Sequence, residues 1–195
     1  MNNLLQTLNE EEKRLIKTVS LNKEQILFLE NEICESVGLI IEGEIEIVSY
    51  SFTGKEIVFN TLSTNMIFGN NLIFSSDPRY KGSVISKTNS NVALIGKKLL
   101  INLLKNNEAF LLEYLKVQSD TGKQLNFQIK LLSLESAEER FLYYLHSKGG
   151  AINYKSITSL ARTIYLQRET LSRLITKLIN KKIIIKRKNS ISLAK

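Results

Sequence analysis

The chain has 195 residues, 43% of them hydrophobic, which suits one large domain or two small ones with buried cores. Its single cysteine, Cys34, excludes an internal disulfide and an iron–sulfur cluster, and its single histidine, His146, excludes a His-rich metal site. No apolar run approaches the ~20 residues that span a bilayer, and the first residues are acidic where a signal peptide would be basic. We therefore expect a cytoplasmic protein with no metal, no cofactor and no membrane partner. We expect Cys34 to be buried and inert, and His146 to lie on the surface or at a helix end.

Positive charge is concentrated at the end of the chain. Residues 153–195 contain eleven Lys or Arg residues and one acid, Glu169, whereas the whole chain has a formal net charge of +8. The preceding residues therefore hold slightly more acids than bases. Concentrated positive charge favours nucleic acid, because each neutralised phosphate releases condensed counterions. The alternative is a solvated basic tail, but the regular order of apolar residues in this segment indicates a folded DNA-binding domain.

The first half of the chain has the pattern of a β-structure behind a short helix. Residues 4–18 place leucine and isoleucine among charges at helical spacing and predict that helix. From about residue 21 to residue 95, single turn residues separate short β-branched and aromatic runs, which is typical of strands. Gly43 and Gly54 predict hairpins between antiparallel strands, because glycine adopts the positive φ of tight turns. We therefore expect an all-β sandwich or roll. The predicted strands are residues 25–29, 38–41, 44–49, 56–62, 83–86 and 92–95.

A helical pattern returns at Lys97 and leads to a long helix with an apolar seam. The seam residues recur with the alternating four- and three-residue spacing of a coiled coil. This spacing predicts that the helix pairs with a second copy of itself; the alternative is an amphipathic helix packed on its own domain. Glycine inside a helix costs ~1 kcal/mol relative to alanine, so a close approach of two backbones or of a ligand would explain Gly122. The dimer seam consists of Leu111, Leu115, Gln118, Gly122, Leu125, Ile129 and Leu132.

A capping box predicts a new helix after the seam. Ser136 and Glu139 have the S-x-x-E spacing in which each side chain bonds the backbone N–H of the other residue, so a helix is predicted at residues 137–146. This restart predicts a hinge at about residues 134–139. The predicted domains are a sensor at 1–105, a dimerisation helix at 106–134 and a DNA-binding domain at 135–195.

The basic segment predicts a winged helix-turn-helix. Residues 156–163 place apolar residues on one helical face, and a short turn leads to a second helix at 167–181. The small Ala161 suits the tight crossing of two helices that a short turn joins. Two apolar runs, 183–185 and 191–193, flank a polar basic tip and predict the strands of a wing. The second helix is predicted to bury Leu171, Leu174, Ile175 and Leu178.

The second helix carries the residues that we expect to read DNA. In such domains this helix enters the major groove, where arginine donates two hydrogen bonds to guanine and a carboxylate accepts one from cytosine. Glu169 is the single acid of its segment, which favours a role in reading a base; the alternative is an ion pair with Arg173 at i, i+4. The predicted base-reading residues are Arg168, Glu169, Ser172 and Arg173. The predicted DNA-backbone contacts are Thr170, Lys177, Lys186, Arg187 and Lys188.

In these motifs the chain resembles the Crp/Fnr family of bacterial transcription regulators over nearly its whole length. Residues 167–173, QRETLSR, are similar to the family's recognition helix, which reads a half-site containing TGA. Residues 37–45 and 52–56 resemble hairpins of its β-roll, and Phe68-Gly69-Asn70 stands where the family often has F-G-E. The resemblance implies an α+β fold: an N-terminal antiparallel β-roll like a cyclic-nucleotide-binding domain, a long dimerisation helix and a C-terminal winged helix-turn-helix. It also implies a homodimer on an inverted repeat of double-stranded DNA, and contact with RNA polymerase if the protein is an activator.

The departures from the family concern its effector. Cyclic-AMP-binding members use a glutamate after the glycine and an Arg-Ser pair further along the chain. Here the first position is Asn70, and the second falls at Tyr80-Lys81-Gly82-Ser83, without the bidentate arginine. The iron–sulfur and haem members need several cysteines or a sensor histidine, which this chain lacks. Cyclic AMP is therefore not the expected ligand. The resemblance places a candidate pocket for a small-molecule effector at Gly69, Asn70, Lys81, Ser83 and Asn126.

Three alternative functions are compatible with a β-roll and a basic segment. The β-roll could serve only as a dimerisation platform, with no ligand. An enzyme of the related cupin type needs clustered His and carboxylates, and a single His outside the barrel argues against it. A nonspecific nucleic-acid binder would need an aromatic-rich platform, whereas the basic segment offers only Tyr154 and Tyr165. We therefore expect a regulator that is not an enzyme and whose DNA binding depends on sequence.

Overall fold

The structure, a computed structural model, describes residues 3–194 and contains two units. The first unit ends at Asp120 and the second begins at Thr121, so the boundary falls inside a helix that spans Glu108–Ser133. Within residues 3–194, no helix is long and apolar enough to cross a membrane. In the same residues no group of three or more His, Cys, Asp or Glu side chains is placed to hold a metal ion.

The first unit is a β-roll with short helices at its two ends. Its strands are β1 (Lys17–Leu21), β2 (Ile26–Phe28), β3 (Ser36–Glu42), β4 (Glu44–Tyr50), β5 (Glu56–Ser63), β6 (Ile67–Phe68), β7 (Ser83–Ser86) and β8 (Ser90–Gly96). Its helices are a 3₁₀ helix (Leu4–Thr7), α1 (Glu10–Arg14), α2 (Lys97–Asn106) and the first part of α3 (Glu108–Ser133). One antiparallel sheet has the strand order β1-β8-β3-β6 and the other has β2-β7-β4-β5. The predicted antiparallel β-roll is confirmed.

The single helix predicted over residues 4–18 is wrong, because this segment contains the short 3₁₀ helix, then α1, and then the start of β1. Asn9 starts α1 through a capping box with Glu12, and α1 ends at Arg14. The chain from Lys17 onward is strand β1, in which Val19 lies opposite Val92 of β8. Pairing with β8 satisfies the backbone of this segment, so a tertiary contact overrides the local helical spacing. The six predicted strands are present with ends that move by no more than two residues, whereas β1 and the two-residue β6 were not predicted.

Only one of the two predicted glycine hairpins exists. Gly54 lies between β4 and β5, which pair with each other, so this hairpin is confirmed. Gly43 lies between β3 and β4, which belong to different sheets, so the predicted hairpin there is wrong. Gly43 instead forms a corner where the chain passes from one sheet to the other, with φ of 93°. A Cβ atom at this corner would lie 2.6 Å from the carbonyl oxygen of Asn89, which explains the glycine.

Aromatic rings occupy the interior of the β-roll. The ring of Phe68 lies against Gly38, at the place where a side chain on residue 38 would stand. Phe28 stacks on Tyr80 with 4.9 Å between ring centroids. Cys34 is buried beside them, as predicted, and burial raises the pKa of its thiol. A raised pKa keeps the thiol protonated and disfavours the reactive thiolate.

The second unit is a winged helix-turn-helix that follows the end of α3. Its elements are α4 (Ala137–Ser147), β9 (Ala151–Asn153), α5 (Ile157–Thr163), α6 (Arg168–Asn180), β10 (Ile184–Arg187) and β11 (Ser190–Leu193). The three strands form one antiparallel sheet in the order β10-β11-β9. The capping box at Ser136 is confirmed, and His146 is exposed at the end of α4.

The wing differs from its prediction in two respects. Strand β9 was not predicted, because three residues are too few to show alternation. The predicted polar tip at residues 186–190 is also too long. Lys186 and Arg187 continue β10, and Ser190 begins β11 opposite Arg187, so the turn is Lys188-Asn189. Charged side chains are tolerated in these strands because their outer face is exposed to solvent.

Candidate nucleic-acid interface

Helix α6 has one buried face and one charged, exposed face. Leu171, Leu174, Ile175 and Leu178 are buried in the core of the second unit, as predicted. The side chains at positions 168, 169, 172 and 173 are exposed on the other face. Within residues 153–194, Glu169 is the only acid. The structure therefore presents an exposed helix face on which arginine side chains offer hydrogen-bond donors.

The turn before α6 holds the two helices of the motif close together. Ala161 is 2% exposed, and its carbonyl oxygen accepts a hydrogen bond from the N–H of Leu166 at 2.9 Å. Tyr165 adopts a left-handed backbone conformation with φ of 56°. The left-handed residue reverses the chain within a short turn, and the small side chain of Ala161 leaves room for α6 to cross α5.

Glu169 lies in the first turn of α6 without the ion pair that its spacing permits. Among the described residues neither Glu169 nor Arg173 makes a salt bridge, so the i, i+4 pair does not explain this acid. A carboxylate in the first turn gains ~0.3 to 1 kcal/mol from the helix dipole. Glu169 and the flanking Arg168 are both exposed at the start of the helix.

Lys177 is held by an acid that sequence reasoning did not single out. Its ammonium lies 2.8 Å from Oε2 of Glu138, and the ammonium of Lys181 lies 3.9 Å from Oε1 of the same residue. The Lys177 ammonium beside Glu138 holds the pKa of that carboxyl below its ordinary value. Glu138 follows the Ser136 cap in the first turn of α4. An acid in the first turn of a helix is favoured by the helix dipole alone. The sequence therefore does not indicate that Glu138 pairs with Lys177.

The wing presents a second group of cations. The side chains of Lys186, Arg187 and Lys188 are exposed on β10 and at its turn. Arg187 and Lys188 line a shallow groove together with Lys155, which lies between β9 and α5. Lys155 was not among the predicted DNA contacts, because β9 was not predicted and nothing linked residue 155 to the wing. Three cations beside one groove suit a phosphate group.

Much of the predicted dimer seam on α3 is exposed in the single chain. Leu115 is 52% exposed, Leu125 47%, Ile129 63% and Leu132 54%. A Cβ atom at Gly122 would meet no described atom within 4 Å. Large aliphatic side chains along one stripe of a helix form the kind of surface that a second helix covers.

Asn70 of the candidate effector pocket is bound to the seam residue Gln118. The Asn70 side-chain amide donates to Oε1 of Gln118, and Nε2 of Gln118 donates to the backbone carbonyl of Asn70 at 2.9 Å. The Tyr114 hydroxyl donates to the same carbonyl at 3.4 Å. Asn70 is 5% exposed, so its amide is both buried and satisfied by α3. Gly69, with φ of 76°, turns the chain into this contact.

Two of the other candidate pocket residues, Lys81 and Ser83, have partners of their own. The Lys81 ammonium lies 2.5 Å from Oδ2 of Asp77. The Ser83 hydroxyl accepts a hydrogen bond from the N–H of Glu30 at 3.0 Å. Asn126 is an exposed residue of α3 in the second unit. Asn70, Lys81 and Ser83 of the candidate pocket thus each have an intramolecular partner.

Comparisons with known proteins agree with this architecture. Residues 18–107 match the cyclic nucleotide-binding domain family. Over 148 residues the chain is 27% identical to an anaerobic regulatory protein of Bacillus subtilis (strain 168), a match that covers 76% of this chain and 57% of the relative. The chain thus spans less than two thirds of that relative's length.

Solved structures of similar fold cover both units. The catabolite activator protein of Thermus thermophilus is 16% identical with a TM-score of 0.56, over 97% of this chain and 92% of that protein. A mutant of CooA from Carboxydothermus hydrogenoformans is 16% identical with a TM-score of 0.71, over 98% of this chain and 90% of that protein. At these identities the likeness establishes the fold.

Proposed function

We propose that this chain is a homodimeric transcription regulator of the Crp/Fnr family and that it reads an inverted repeat with TGA-containing half-sites. The carrying observation is the exposed face of α6, where Arg168, Glu169 and Arg173 stand free of intramolecular ion pairs within the described chain. An arginine fork matches guanine, and a carboxylate matches the amino group of cytosine. Thr170 and the wing cations would then contact the phosphates and set the register of the helix.

The exposed seam of α3 supports the homodimer. Two copies that bury Leu115, Leu125, Ile129 and Leu132 against each other would remove four aliphatic side chains from water, at about 25 cal/mol for each Å² of apolar surface. A twofold axis along α3 would place two copies of α6 on one face of DNA. Two such helices must lie about 34 Å apart to enter successive major grooves.

The contacts of Asn70 favour a regulator that needs no effector. Gln118 already satisfies both the amide and the carbonyl of this residue, and Asp77 pairs with Lys81. A ligand at this place would have to break buried hydrogen bonds, whose loss costs about 1–3 kcal/mol for each group left unpaired. In this alternative the β-roll serves as a dimerisation platform, and Gln118 takes the place of a bound effector.

Selection from a random duplex library tests the proposal. The purified protein is incubated with the library at near-physiological salt, and the retained duplexes are sequenced. We expect enrichment of an inverted repeat with TGA-containing arms. The matched control is the double variant Arg168→Ala, Arg173→Ala, which retains the wing cations and should retain salt-sensitive binding without the enriched motif.

The outcomes separate the two forms of the proposal. Enrichment by the protein alone supports a regulator that is competent without an effector. Enrichment only after addition of small molecules from a cell extract supports effector control. Salt-sensitive binding without sequence preference in both cases would show a nonspecific binder, and the proposed reading of half-sites would be wrong.

A further inference from the structure

We infer that Arg140 is a positioning residue that fixes the recognition helix α6 to the end of α3. The inference rests on the proposed function, because it names the contact that sets the spacing of the two half-sites. Nη1 of Arg140 donates to the carbonyl of Tyr165 at 3.0 Å, and Nη2 donates to the carbonyl of Leu134 at 3.1 Å. One guanidinium therefore bridges two backbone segments that are distant in sequence.

The two carbonyls lie on either side of the predicted hinge, one at the end of α3 and the other just before α6. Leu134 directly follows Ser133, the last residue of α3. Tyr165 lies in the helix-turn-helix turn, two residues before Gln167, the N-cap of α6. A change in the angle between α3 and the DNA-binding helices would alter the distance from Leu134 to Tyr165. The Arg140 bridge opposes such a change.

Arginine is suited to this bridge for two reasons. Carbonyl groups at the end of a helix lack intrahelical partners and carry partial negative charge, so a cation there is favourable. A guanidinium is planar and offers donors in fixed directions, whereas the ammonium of lysine is a single point of charge. Within residues 3–194, Arg140 makes no salt bridge, so the two carbonyls are the groups that receive its charge.

The same turn of α4 also holds the other end of α6. Glu138 binds Lys177 and Lys181, which lie in the last turn of α6 and directly after it. Phe141, the neighbour of Arg140, is fully buried in the core of the second unit. The first turn of α4 thus contacts the turn that precedes α6 and the last turn of α6. In a dimer, this arrangement would transmit the position of each α3 end directly to each recognition helix.

Binding to duplexes with varied half-site spacing tests the inference. The full-length protein is titrated with duplexes that carry two selected half-sites at about 10 base pairs centre to centre, and with duplexes lengthened by about 2 base pairs, which rotates one half-site by about 70°. A duplex with a single half-site is the reference for local recognition. We compare the wild type with Arg140→Met, and use Arg14→Met, on exposed helix α1, as the matched control.

We expect the wild type and R14M to prefer the shorter spacing strongly. In R140M the ratio of affinities for the shorter and the longer spacing should fall about tenfold, which is the effect of one charge-assisted hydrogen bond. The affinity of R140M for a single half-site should stay within about twofold of the wild-type value. Arg140→Lys should not restore the preference, because it keeps the charge without the fork. An unchanged spacing preference in R140M, or full rescue by R140K, would overturn the inference.

Two further outcomes have separate meanings. If the wild type itself shows neither a half-site nor a spacing preference, the proposed function fails, and the inference falls with it for that reason. If circular dichroism shows R140M to be unfolded, R140K takes its place in the comparison. Loss of folding in both variants would make Arg140 a residue required for the fold, and would overturn its assignment as a positioning residue.

Discussion

The ammonium of Lys177, on the recognition helix, lies 2.8 Å from a carboxylate oxygen of Glu138, in the first turn of α4. Lys177 is one of the cations that we expect to contact a DNA phosphate. The pairing therefore sets two anions, the carboxylate and the phosphate, in competition for one cation. Both side chains are partly exposed, so the pair is open to approach by DNA and to screening by salt.

Glu138→Gln should strengthen DNA binding of every sequence. The change frees Lys177 and removes a negative charge next to the DNA, so affinity for an unrelated duplex should rise several-fold at low salt. The slope of log K against log salt should steepen by about 0.9 for one additional phosphate contact. Fluorescence anisotropy over a range of salt concentrations measures both quantities. Glu135→Gln, at an exposed neighbouring position, is the control; an equal effect there would show that net charge alone is responsible.

Arg168→Ala should weaken binding at one base pair. The loss of a bidentate contact is expected to cost ~1–3 kcal/mol on the selected half-site and to make all four bases acceptable at that position. Competition between duplexes that differ at single positions identifies the affected base pair. An equal loss of affinity on every sequence would show that Arg168 contacts phosphate only.

Lys188→Ala should weaken DNA binding without changing the preference for particular bases. Lys188 lies at the turn of the wing, and its removal should weaken selected and unrelated duplexes alike. The salt slope should fall by about 0.9, for one lost phosphate contact. Titration of both duplexes at several salt concentrations tests this expectation. A loss confined to the selected duplex would contradict a backbone role.

Gly122→Leu should shift the protein toward monomer. Gly122 lies midway along the seam, where a Cβ atom would meet open space in the single chain but would stand between two paired helices. Sedimentation equilibrium measures the dimer dissociation constant. Gly122→Ala distinguishes an effect on helix stability from an effect on the dimer interface, because alanine stabilises a helix by ~1 kcal/mol relative to glycine. Gln124→Leu, exposed on the same helix, is the control for added apolar surface; equal dissociation in both leucine variants would remove Gly122 from the interface.

Asn70→Ala and Gln118→Ala should each destabilise the protein, and together by less than their sum. Gln118→Ala leaves the buried amide of Asn70 without its acceptor, and Asn70→Ala leaves the half-buried Oε1 of Gln118 without its donor. We expect each change to lower the free energy of unfolding by about 1–3 kcal/mol. Urea unfolding of the two single variants and the double variant, at one protein concentration, gives the coupling energy. Strict additivity would show that the two residues stabilise the fold independently.

Much of the architecture was predictable because its patterns are local. The four residues that α6 buries recur at helical spacing, and the serine cap of α4 is readable from four letters of sequence. The fold class follows from the same patterns taken in order. The predicted roles of Arg168 and Lys188 in DNA binding stay predictions.

Helices and strands with one face buried along their length were predictable from sequence, because burial imposes a period of 3.6 or 2 residues. Tertiary structure alone decided the cases in which the partner is remote. Lys17–Leu21 is a strand because β8 pairs with it, and Gly43 is a corner because its two strands join different sheets. Likewise, nothing in the local pattern joins Arg140 to Tyr165 or Asn70 to Gln118. Hydrogen bonds of this kind depend on the positions of backbone carbonyls and amides after the chain has folded, and a one-dimensional period does not encode those positions.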